Sequence, residues 1–320
     1  MDEVNKEQIT DARNIVSRLM DNLKTFVVGK DAMMELGLIT LLSNGHLLIE
    51  GVPGLGKTTL AKTIAFSTGC TFKRIQFVPD LLPSDITGTS IYNQKTGEFN
   101  FHPGPIMSQV VLADEINRSP SKSQSALLEA MEEGQSTIDG MTHSMPKPFF
   151  VIATLNPVEY HGIFPLPEAQ LDRFMMRISL TYASYNEELE ILNLKENGTP
   201  IEDITNVTTS EEIIMCQETI RSIYVDDTIK RYIVDITQAS RQHQDVSLGA
   251  SHRGSIDLFR TSQSLALIKG REFVLPDDVK SLALPVLSHR IIVSPQSRAS
   301  GLTGEKIVTG IIDNLRIPGI

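Results

Sequence analysis

The segment GVPGLGKT, at Gly51–Thr58, constrains the fold more than any other part of the chain. It follows HLLIEG, an apolar run predicted to be a buried strand, and it precedes TLAKTIAFSTG, which is predicted to be a helix. Between a strand and a helix, the spacing GxxxxGK[ST] lets backbone N–H groups turn inward around a polyphosphate. The alternative is a glycine-rich turn that only caps a helix. The strand, the loop, the Lys-Thr pair and the helix together favour nucleotide binding.

Two side chains of this loop have specific chemical roles in such a site. The Lys57 ammonium would supply positive charge to the β and γ phosphates of ATP, and the Thr58 hydroxyl would be a ligand of Mg²⁺. The sequence therefore predicts ATP and Mg²⁺ as cofactors. The predicted phosphate-binding residues are Gly51, Pro53, Gly54, Leu55, Gly56, Lys57, Thr58 and Thr59.

Strand-like and helix-like segments alternate around this loop. TFKRIQF, QVVLAD, PFFVIAT and MRISL are strand-like, with helical or looped segments between them. This alternation predicts an α/β fold with a doubly wound parallel sheet and helices on both faces. A helix is also predicted over residues 31–43. Apolar residues at helical spacing predict an amphipathic helix at the start of the chain, and they are Ile9, Ala12, Val16, Leu19 and Leu23.

Two hairpins and a change of character after Leu180 complete the predicted organisation. SIYNQKTGEFNFH alternates around a Lys-Thr-Gly turn and predicts a hairpin over about 88–104, and STIDGMTHS, with Asp-Gly at its tip, predicts another over about 135–144. After Leu180 the strand signal fades, and the polar segment ENGTPIEDITNVTTS is typical of a linker. We predict an α/β core over residues 1–200, a boundary near residues 198–210, and an α-helical domain over residues 210–320.

A pair of acids follows another predicted strand. In QVVLADE, the apolar residues bring Asp114 and Glu115 to the carboxyl end of a buried strand, which is where ligands of α/β sheets bind. Asp114 would hold Mg²⁺, and Glu115 would orient or deprotonate the attacking water. An Asp-Glu pair after a strand is also a common helix start. Its position downstream of a phosphate-binding loop favours a role in hydrolysis.

Three further residues are candidates for contacts with the γ-phosphate. Asn156 lies in LNP, directly after the predicted strand segment PFFVIAT. It could bind the γ-phosphate or the attacking water, or it could lie in an ordinary turn before proline. Arg253 lies in the first turn of a predicted helix, where a cation opposes the helix dipole and is not placed for helix stability. Arg173 ends the segment FPLPEAQLDRF, where it is either a helix-end cation or a functional group.

Five segments in this order closely resemble the MoxR group of AAA+ ATPases: GVPGLGKT, VVLADEINRSPSKSQSALLEAMEEGQ, FFVIATLNP, FPLPEAQLDRF and LGASHRG. The likeness extends from about Val27 to Arg290. It implies the P-loop NTPase fold of AAA+ proteins with a C-terminal α-helical lid, and ATP hydrolysis to ADP and phosphate. It also implies a homo-oligomeric ring, with a hexamer as the expected size.

The resemblance further implies a chaperone-like role in remodelling, maturation or metal loading of partner proteins. Partners with von Willebrand factor A-type domains are among those it implies. The two predicted hairpins resemble the family's helix-2 insert and its hairpin before sensor 1. The segment FVVGKD, with Val28 and Gly29, lies where AAA+ proteins pack backbone and apolar groups against adenine.

Roles for single residues also come from the resemblance. Lys57 and Thr58 match the Walker A loop, and the predicted Mg²⁺ ligands are Thr58 and Asp114. The arginine of LPEAQLDRF in this family is a finger that reaches the nucleotide of a neighbouring subunit, and the arginine of GASxR is sensor 2 in the lid. The predicted catalytic residues are therefore the Walker B glutamate Glu115, the sensor-1 asparagine Asn156, the finger Arg173 and the sensor-2 residue Arg253.

Charge and composition limit the partners. The chain carries 29 Lys and Arg against 39 Asp and Glu, a net charge of −10, so we expect no binding to nucleic acid or anionic lipid through clustered positive charge. Cys70 and Cys216 have no Cys or His at metal-ligand spacing and are typical of buried thiols in a reducing compartment. The segment MDEVNKEQITDAR is polar and acidic, unlike a signal peptide. We expect a cytoplasmic protein without a membrane span.

Two other functions fit parts of the pattern. A DNA-associated AAA+ motor would need basic hairpins, but the first hairpin has only Lys95 and His102 against Glu98, and the second has no Lys or Arg. A nucleotide-gated binding module that does not hydrolyse ATP would be expected to lack the catalytic residues. ATPase activity measured with and without DNA separates the three functions.

Other charged residues near these motifs are less informative. Arg118 follows the Walker B acids and is either a second interface arginine or a helix-start residue. Glu129, Glu132 and Glu133 lie in the predicted helix SKSQSALLEAMEE, and we expect them to form one solvated face of it.

Overall fold

The computed structural model describes residues 3–27, 29–52, 54–157, 164–180, 182, 184–196 and 204–317. In chain order the strands are β1 (Leu47–Glu50), β2 (Phe72–Gln76), β3 (Gly88–Asn93), β4 (Glu98–Pro103), β5 (Val110–Asp114), β6 (Gln135–Ile138), β7 (Met141–Ser144), β8 (Phe150–Leu155), β9 (Met176–Ser179), β10 (Val246–Leu248) and β11 (Ile292–Val293).

The helices begin with α1 (Glu3–Phe26), α2 (Asp31–Leu42), α3 (Lys57–Ser67), α4 (Pro83–Thr87), α5 (Ser121–Glu133), α6 (Glu168–Leu171) and α7 (Tyr185–Glu196). They continue with α8 (Ser210–Ile220), α9 (Asp227–Gln242), α10 (His252–Ile268), α11 (Pro276–Leu287), α12 (Pro295–Ala299) and α13 (Gly304–Asn314). Single turns of 3-10 helix cover Ile116–Arg118 and Ser288–Arg290.

Five strands form one parallel sheet in the order β2-β5-β8-β1-β9. From β1 the chain crosses to β2 at the edge, returns through β5 and β8, and then passes β1 to form β9 on its other side. After β1 the chain continues to one side of the sheet, and after β8 it continues to the other side. The carboxyl ends of these two adjacent strands therefore border a crevice of the kind that binds ligands in such sheets. The Gly51 N–H donates to the Leu155 carbonyl at 3.1 Å and joins the two strand ends. The predicted doubly wound α/β fold is confirmed.

Both faces of the sheet are covered by helices. Successive side chains of a strand point to opposite faces, and Leu47 and Ile49 accordingly enter one buried cluster while Leu48 enters the other. The first cluster contains the five apolar residues of the predicted first helix, which lie in α1, and it continues into the C-terminal helices. The second cluster contains buried residues of α4 and α5. Burial on both faces explains why continuous apolar runs mark the central strands in the sequence.

The two hairpins lie side by side. β3 pairs with β4 and β6 with β7, both antiparallel. Asp139 and Gly140, between β6 and β7, have φ values of 50° and 79°, as a two-residue turn with two positive φ angles requires. Phe101 of the first hairpin stacks on His143 of the second, with ring centroids 4.0 Å apart. Several large apolar side chains of the hairpins remain exposed: Ile91, Tyr92, Phe99 and Met141.

The C-terminal part, residues 204–317, contains α8–α13 and a small antiparallel pair, β10–β11. Thr209, Asp226 and Thr303 cap α8, α9 and α13 by accepting a backbone N–H from the first turn. The prediction for this region named only helices. It missed β10 and β11 because strands of three and two residues show no detectable alternation. Residues 197–203, which overlap the predicted boundary near residues 198–210, lie outside the described residues, so the division into two domains stays a prediction.

His46, directly before β1, joins the sheet to α5. Its Nε2–H donates to the Met131 carbonyl at 3.2 Å, and its Nδ1 accepts from the Val151 N–H at 3.1 Å. One donating and one accepting nitrogen require a neutral imidazole. Burial lowers the pKa of His46 to about 4, and the bond to the Met131 carbonyl offsets only part of this effect.

The lowered pKa makes stability depend on pH in a defined window. Between pH 6.5 and about 4 the unfolded chain binds a proton at His46 that the folded protein excludes, so stability falls as the pH falls. The full effect is on the order of 3 kcal/mol. We predict that His46→Gln reduces the slope of unfolding free energy against pH in this window, measured by urea unfolding between pH 4.5 and 7.

His289 is the second buried imidazole with a pKa lowered by burial, and next by Arg290, so part of the slope remains in His46→Gln. Identical slopes for His46→Gln and the wild-type chain would contradict the role given to His46. Imidazole resonances followed by NMR provide an independent check. The His46 signal of the folded wild-type protein should not titrate above about pH 5.

Candidate nucleotide site

The loop between β1 and α3 has the backbone conformation that a phosphate-binding loop requires. Gly54 and Gly56 have φ values of 86° and 85°, in the left-handed region that favours glycine. A Cβ atom added at either position would have no heavy atom within 4 Å. The backbone angle, rather than crowding, therefore requires glycine, and the space beside the loop is open.

The start of α3 has no side-chain cap. Gly56 is its N-cap residue and supplies no capping atom, so the first N–H groups of the helix have no side-chain acceptor there. Unpaired N–H groups and the positive end of the helix dipole together favour an anion. Thr58 and Thr59 lie partly buried in this first turn. Pro53, also predicted to hold phosphate, lies outside the described residues.

Lys57 is the first residue of α3, and its side chain bends back over the loop. Only 7% of the residue is exposed, and Nζ donates to the Gly51 carbonyl at 2.6 Å. Burial lowers the pKa of Lys57, while the charges of Asp114 and Glu115 favour its protonated form. The ammonium is therefore held inside the loop, next to the acids at the end of β5.

Asp114, the last residue of β5, is fixed by two neighbouring strands. Oδ1 accepts from the Thr154 hydroxyl of β8 at 2.7 Å. Oδ2 accepts from Arg74 of β2, from Nε at 3.1 Å and from Nη2 at 2.5 Å. The carboxylate is thus held in one orientation at the carboxyl edge of the sheet.

Glu115 has a left-handed backbone, with φ 56° and ψ 51°, which is uncommon for a residue other than glycine and costs free energy. The conformation is supported by its N–H, which donates to the Thr154 hydroxyl at 2.8 Å. Its Oε2 accepts from Gln76 Nε2 at 3.0 Å and from Arg118 Nη1 at 2.9 Å. Of the two interpretations left open for Arg118, neither included this bond to the neighbouring acid.

Asn156 lies at the carboxyl end of β8, and Gly29 lies beside α7. Asn156 directly follows β8, is 4% exposed, and its carbonyl accepts from Asn117 Nδ2 at 3.4 Å. Since β8 lies between β1 and β5, the carboxyl ends of three adjacent strands bring the loop, the acids and this amide together. Gly29 has φ 67° and lies against Glu187 of α7. Val28, predicted to contact adenine, is outside the described residues.

The two predicted phosphate-binding arginines share a single carboxylate. Glu132, near the end of α5, pairs through Oε2 with Arg173 Nη2 at 2.8 Å and through Oε1 with Arg253 Nη2 at 2.6 Å. The three side chains are 34%, 28% and 39% exposed, respectively. Arg173 follows α6 and Arg253 lies in the first turn of α10, so the tertiary fold brings together residues that are distant in the sequence.

These arginines lie at the opposite edge of the sheet from Lys57. The Met131 carbonyl of α5 and the Met175 N–H both bond to His46, directly before β1. The phosphate-binding loop begins directly after β1. At about 3.3 Å per residue, the four residues of β1 span roughly 13 Å. One subunit therefore presents the loop at one edge and the arginine pair at the other.

Comparison with known proteins identifies the family. Residues 46–176 match the ATPase family associated with various cellular activities (AAA), and residues 238–311 match the AAA lid domain. The protein YeaC of Bacillus subtilis (strain 168) is 49% identical over 308 residues, which cover 96% of each chain. Chaperone MoxR1 of Mycobacterium tuberculosis is 39% identical over 314 residues, covering 95% of this chain and 83% of MoxR1.

A solved structure agrees with these matches. The crystal structure of a candidate ATPase from Cytophaga hutchinsonii matches with a TM-score of 0.91 and 39% sequence identity. The match covers 98% of this chain and 97% of the Cytophaga chain. The chain belongs to the MoxR group of AAA+ ATPases. Among the described residues of this MoxR-type ATPase, no helix is both long and apolar enough to cross a bilayer.

Sequence reasoning missed three residues around the site of this MoxR-type ATPase. Arg74 and Gln76 contact the two acids because β2 pairs with β5 and Gln76 lies opposite Asp114. The sequence did show two polar residues spaced by two at the end of a predicted strand. It did not show that this strand would lie next to β5. Glu132 is exposed on α5, as expected for a solvated face, but the sequence did not reveal that both of its oxygens are paired with arginines.

The placement of Lys57 leads to a first test of this site. Lys57→Ala removes the one charged group held inside the loop, and we predict a loss of ATP affinity of about tenfold or more. Titration with fluorescently labelled ATP measures the change. Lys62→Ala is the matched control because Lys62 lies on the same helix, α3, but outside the loop. Equal affinities for Lys57→Ala and the wild-type chain would rule out the assigned role.

Proposed function

We propose that this MoxR-type protein hydrolyses ATP to ADP and phosphate and uses the reaction to remodel partner proteins. The observation that carries the proposal is the joining of three groups at one sheet edge. They are the glycine loop with buried Lys57, the Asp114–Glu115 pair, and Asn156. Glu115 activates the attacking water as a general base, and Asn156 orients the water or the γ-phosphate. A protein that binds ATP without hydrolysing it would not need this combination of groups.

The residues present also fit a magnesium ion. Asp114 and Thr58 supply carboxylate and hydroxyl oxygens, which are the ligands that Mg²⁺ prefers. When bound, the ion neutralises negative charge on the phosphates. Arg74 holds Oδ2 of Asp114, so the guanidinium and the ion compete for the same carboxylate.

The positions of the arginines support a ring. Arg173 and Arg253 lie on the edge opposite to their own phosphate-binding loop, so we propose that both act on the nucleotide of a neighbouring subunit. An interface that joins the arginine edge of one copy to the loop edge of the next is head-to-tail, and repeated head-to-tail contacts form a ring when the rotation between copies closes. The hexamer implied by the family is the size we propose.

The hairpins support a protein rather than a nucleic acid as the partner. Their exposed side chains include four large apolar groups, at Ile91, Tyr92, Phe99 and Met141. Tyr92 and Phe99 lie together, with ring centroids 5.3 Å apart, and exposed apolar patches mark sites of protein contact, whereas a DNA-binding hairpin needs positive charge. We propose that the client meets the ring here, and that von Willebrand factor A-type proteins are among the candidates.

The role of Glu115 separates binding from hydrolysis. In Glu115→Gln the amide keeps the size of the side chain but cannot accept a proton from water. We predict that the variant binds ATP with normal affinity and hydrolyses it at least about tenfold more slowly. Phosphate release and nucleotide titration measure the two properties, with Glu129→Gln on α5 as the charge-matched control. Near-normal turnover would mean that another group activates the water.

Mixing two inactive variants tests action between subunits. Lys57→Ala subunits keep Arg173, and Arg173→Ala subunits keep a working loop, so mixed rings should recover part of the ATPase activity. A finger arginine is typically worth about 10³–10⁵ in rate, so the recovery should be well above either variant alone. Subunits carrying both Lys57→Ala and Arg173→Ala are the control and should rescue nothing. Native mass spectrometry verifies that the two variants assemble together. Mixed assemblies that recover no ATPase activity would refute the proposal.

A further inference from the structure

Glu132 is placed to organise two arginines at once. Each of its carboxylate oxygens is paired with a different guanidinium, at 2.8 Å to Arg173 and 2.6 Å to Arg253. Two guanidinium groups this close to one carboxylate are also close to each other, and like charges repel. The negative charge of Glu132 reduces that repulsion and fixes the spacing of the pair.

The backbone that carries the arginines is anchored independently of Glu132. The buried side chain of Arg290, 1% exposed, pairs with Asp172 at 3.0 Å and with Asp257 at 2.6 Å. The Ser251 hydroxyl, which caps α10, donates to the two oxygens of Asp172 at 3.1 and 3.0 Å. The loop before β9 and the start of α10 are thereby joined. Replacing Glu132 should free the tip of Arg173 and leave Arg253 only its longer contact with Asp172, 3.8 Å from Nη1 to Oδ2, without detaching the segments that bear them.

Partial exposure allows the arginines to meet a second anion. Their side chains are 28% and 39% exposed, so part of each arginine side chain is accessible while its guanidinium is bound to Glu132. A guanidinium has five N–H donors and can serve a carboxylate and a phosphate together. Glu132 itself would be repelled by phosphate, so any effect it has on the reaction passes through the arginines.

We propose that Glu132 is a positioning residue that holds Arg173 and Arg253 side by side for the γ-phosphate of the neighbouring subunit. The inference rests on the proposed action of both arginines between subunits. It differs from a general structural role because it predicts a defect on one side of each interface: the subunit that donates the arginines needs Glu132, and the subunit that binds the ATP does not.

The mixed ring provides the test. Glu132→Gln keeps the volume of the side chain, but its amide can accept from one arginine only and places N–H donors against the other. Introduced into the arginine-donating Lys57→Ala subunits, it should lower the recovered ATPase activity by about tenfold to a hundredfold, as expected for a misplaced catalytic group. Introduced into the ATP-binding Arg173→Ala subunits, it should leave the recovered activity unchanged.

The adjacent Glu133→Gln is the matched control because it makes the same charge change on the exposed end of α5. It should have no effect in either subunit. An undiminished recovery with Glu132→Gln donors, or an equal loss from both subunits, would overturn the proposal. The second outcome would show a general effect on folding or assembly.

A measurement on the single protein keeps this proposal separate from the proposed ring. The guanidinium N–H resonances of Arg173 and Arg253 should both shift, and exchange faster with water, in Glu132→Gln but not in Glu133→Gln. Unchanged resonances would refute the positioning role whatever the mixing shows. The resonances could shift while the mixture of Lys57→Ala and Arg173→Ala subunits, both with Glu132 intact, recovers no ATPase activity. That result would instead refute action between subunits, and with it the function assigned to the two arginines.

Discussion

Parallel pairing of five strands is the constraint on which the rest of the molecule depends. Because all five run in one direction, every carboxyl end lies at one edge of the sheet and every amino end at the other. The loop with Lys57, the acids at the end of β5 and Asn156 lie together because they stand at the carboxyl ends of three adjacent strands. The same polarity places the segments that precede β1 and β9 at the far edge, with the end of α5 beside them, and the arginines lie there.

The separation of the two edges connects the fold to assembly. In the ring proposed above, the arginine pair at one edge of a subunit would complete the nucleotide site at the loop edge of a head-to-tail neighbour. The C-terminal helices are joined to this edge because Arg290 pairs with both Asp172 and Asp257 of α10. A change in how these helices pack would therefore move Arg253 and the loop bearing Arg173 together.

The acids of the site are held by neighbours in the conformation described. Asp114 is bonded to Arg74, and Glu115 is bonded to Gln76 and Arg118. A nucleotide and a metal ion bound as proposed would compete with these bonds, so β2 would influence the site. Local sequence around Arg74 and Gln76 could not reveal this, because it depends on β2 being the neighbour of β5.

The sequence by itself determined the strands of the parallel sheet, the phosphate-binding loop and the fold class. Each of these follows from short-range patterns: apolar runs, glycines that permit φ near 85° at Gly54 and Gly56, and a Lys-Thr pair at fixed spacing. Only the tertiary structure decided that Glu132 joins Arg173 to Arg253, and that both lie away from their own loop. Such contacts join residues far apart in the chain. They depend on strand order and helix packing, which the burial of the whole core determines and which no local pattern encodes.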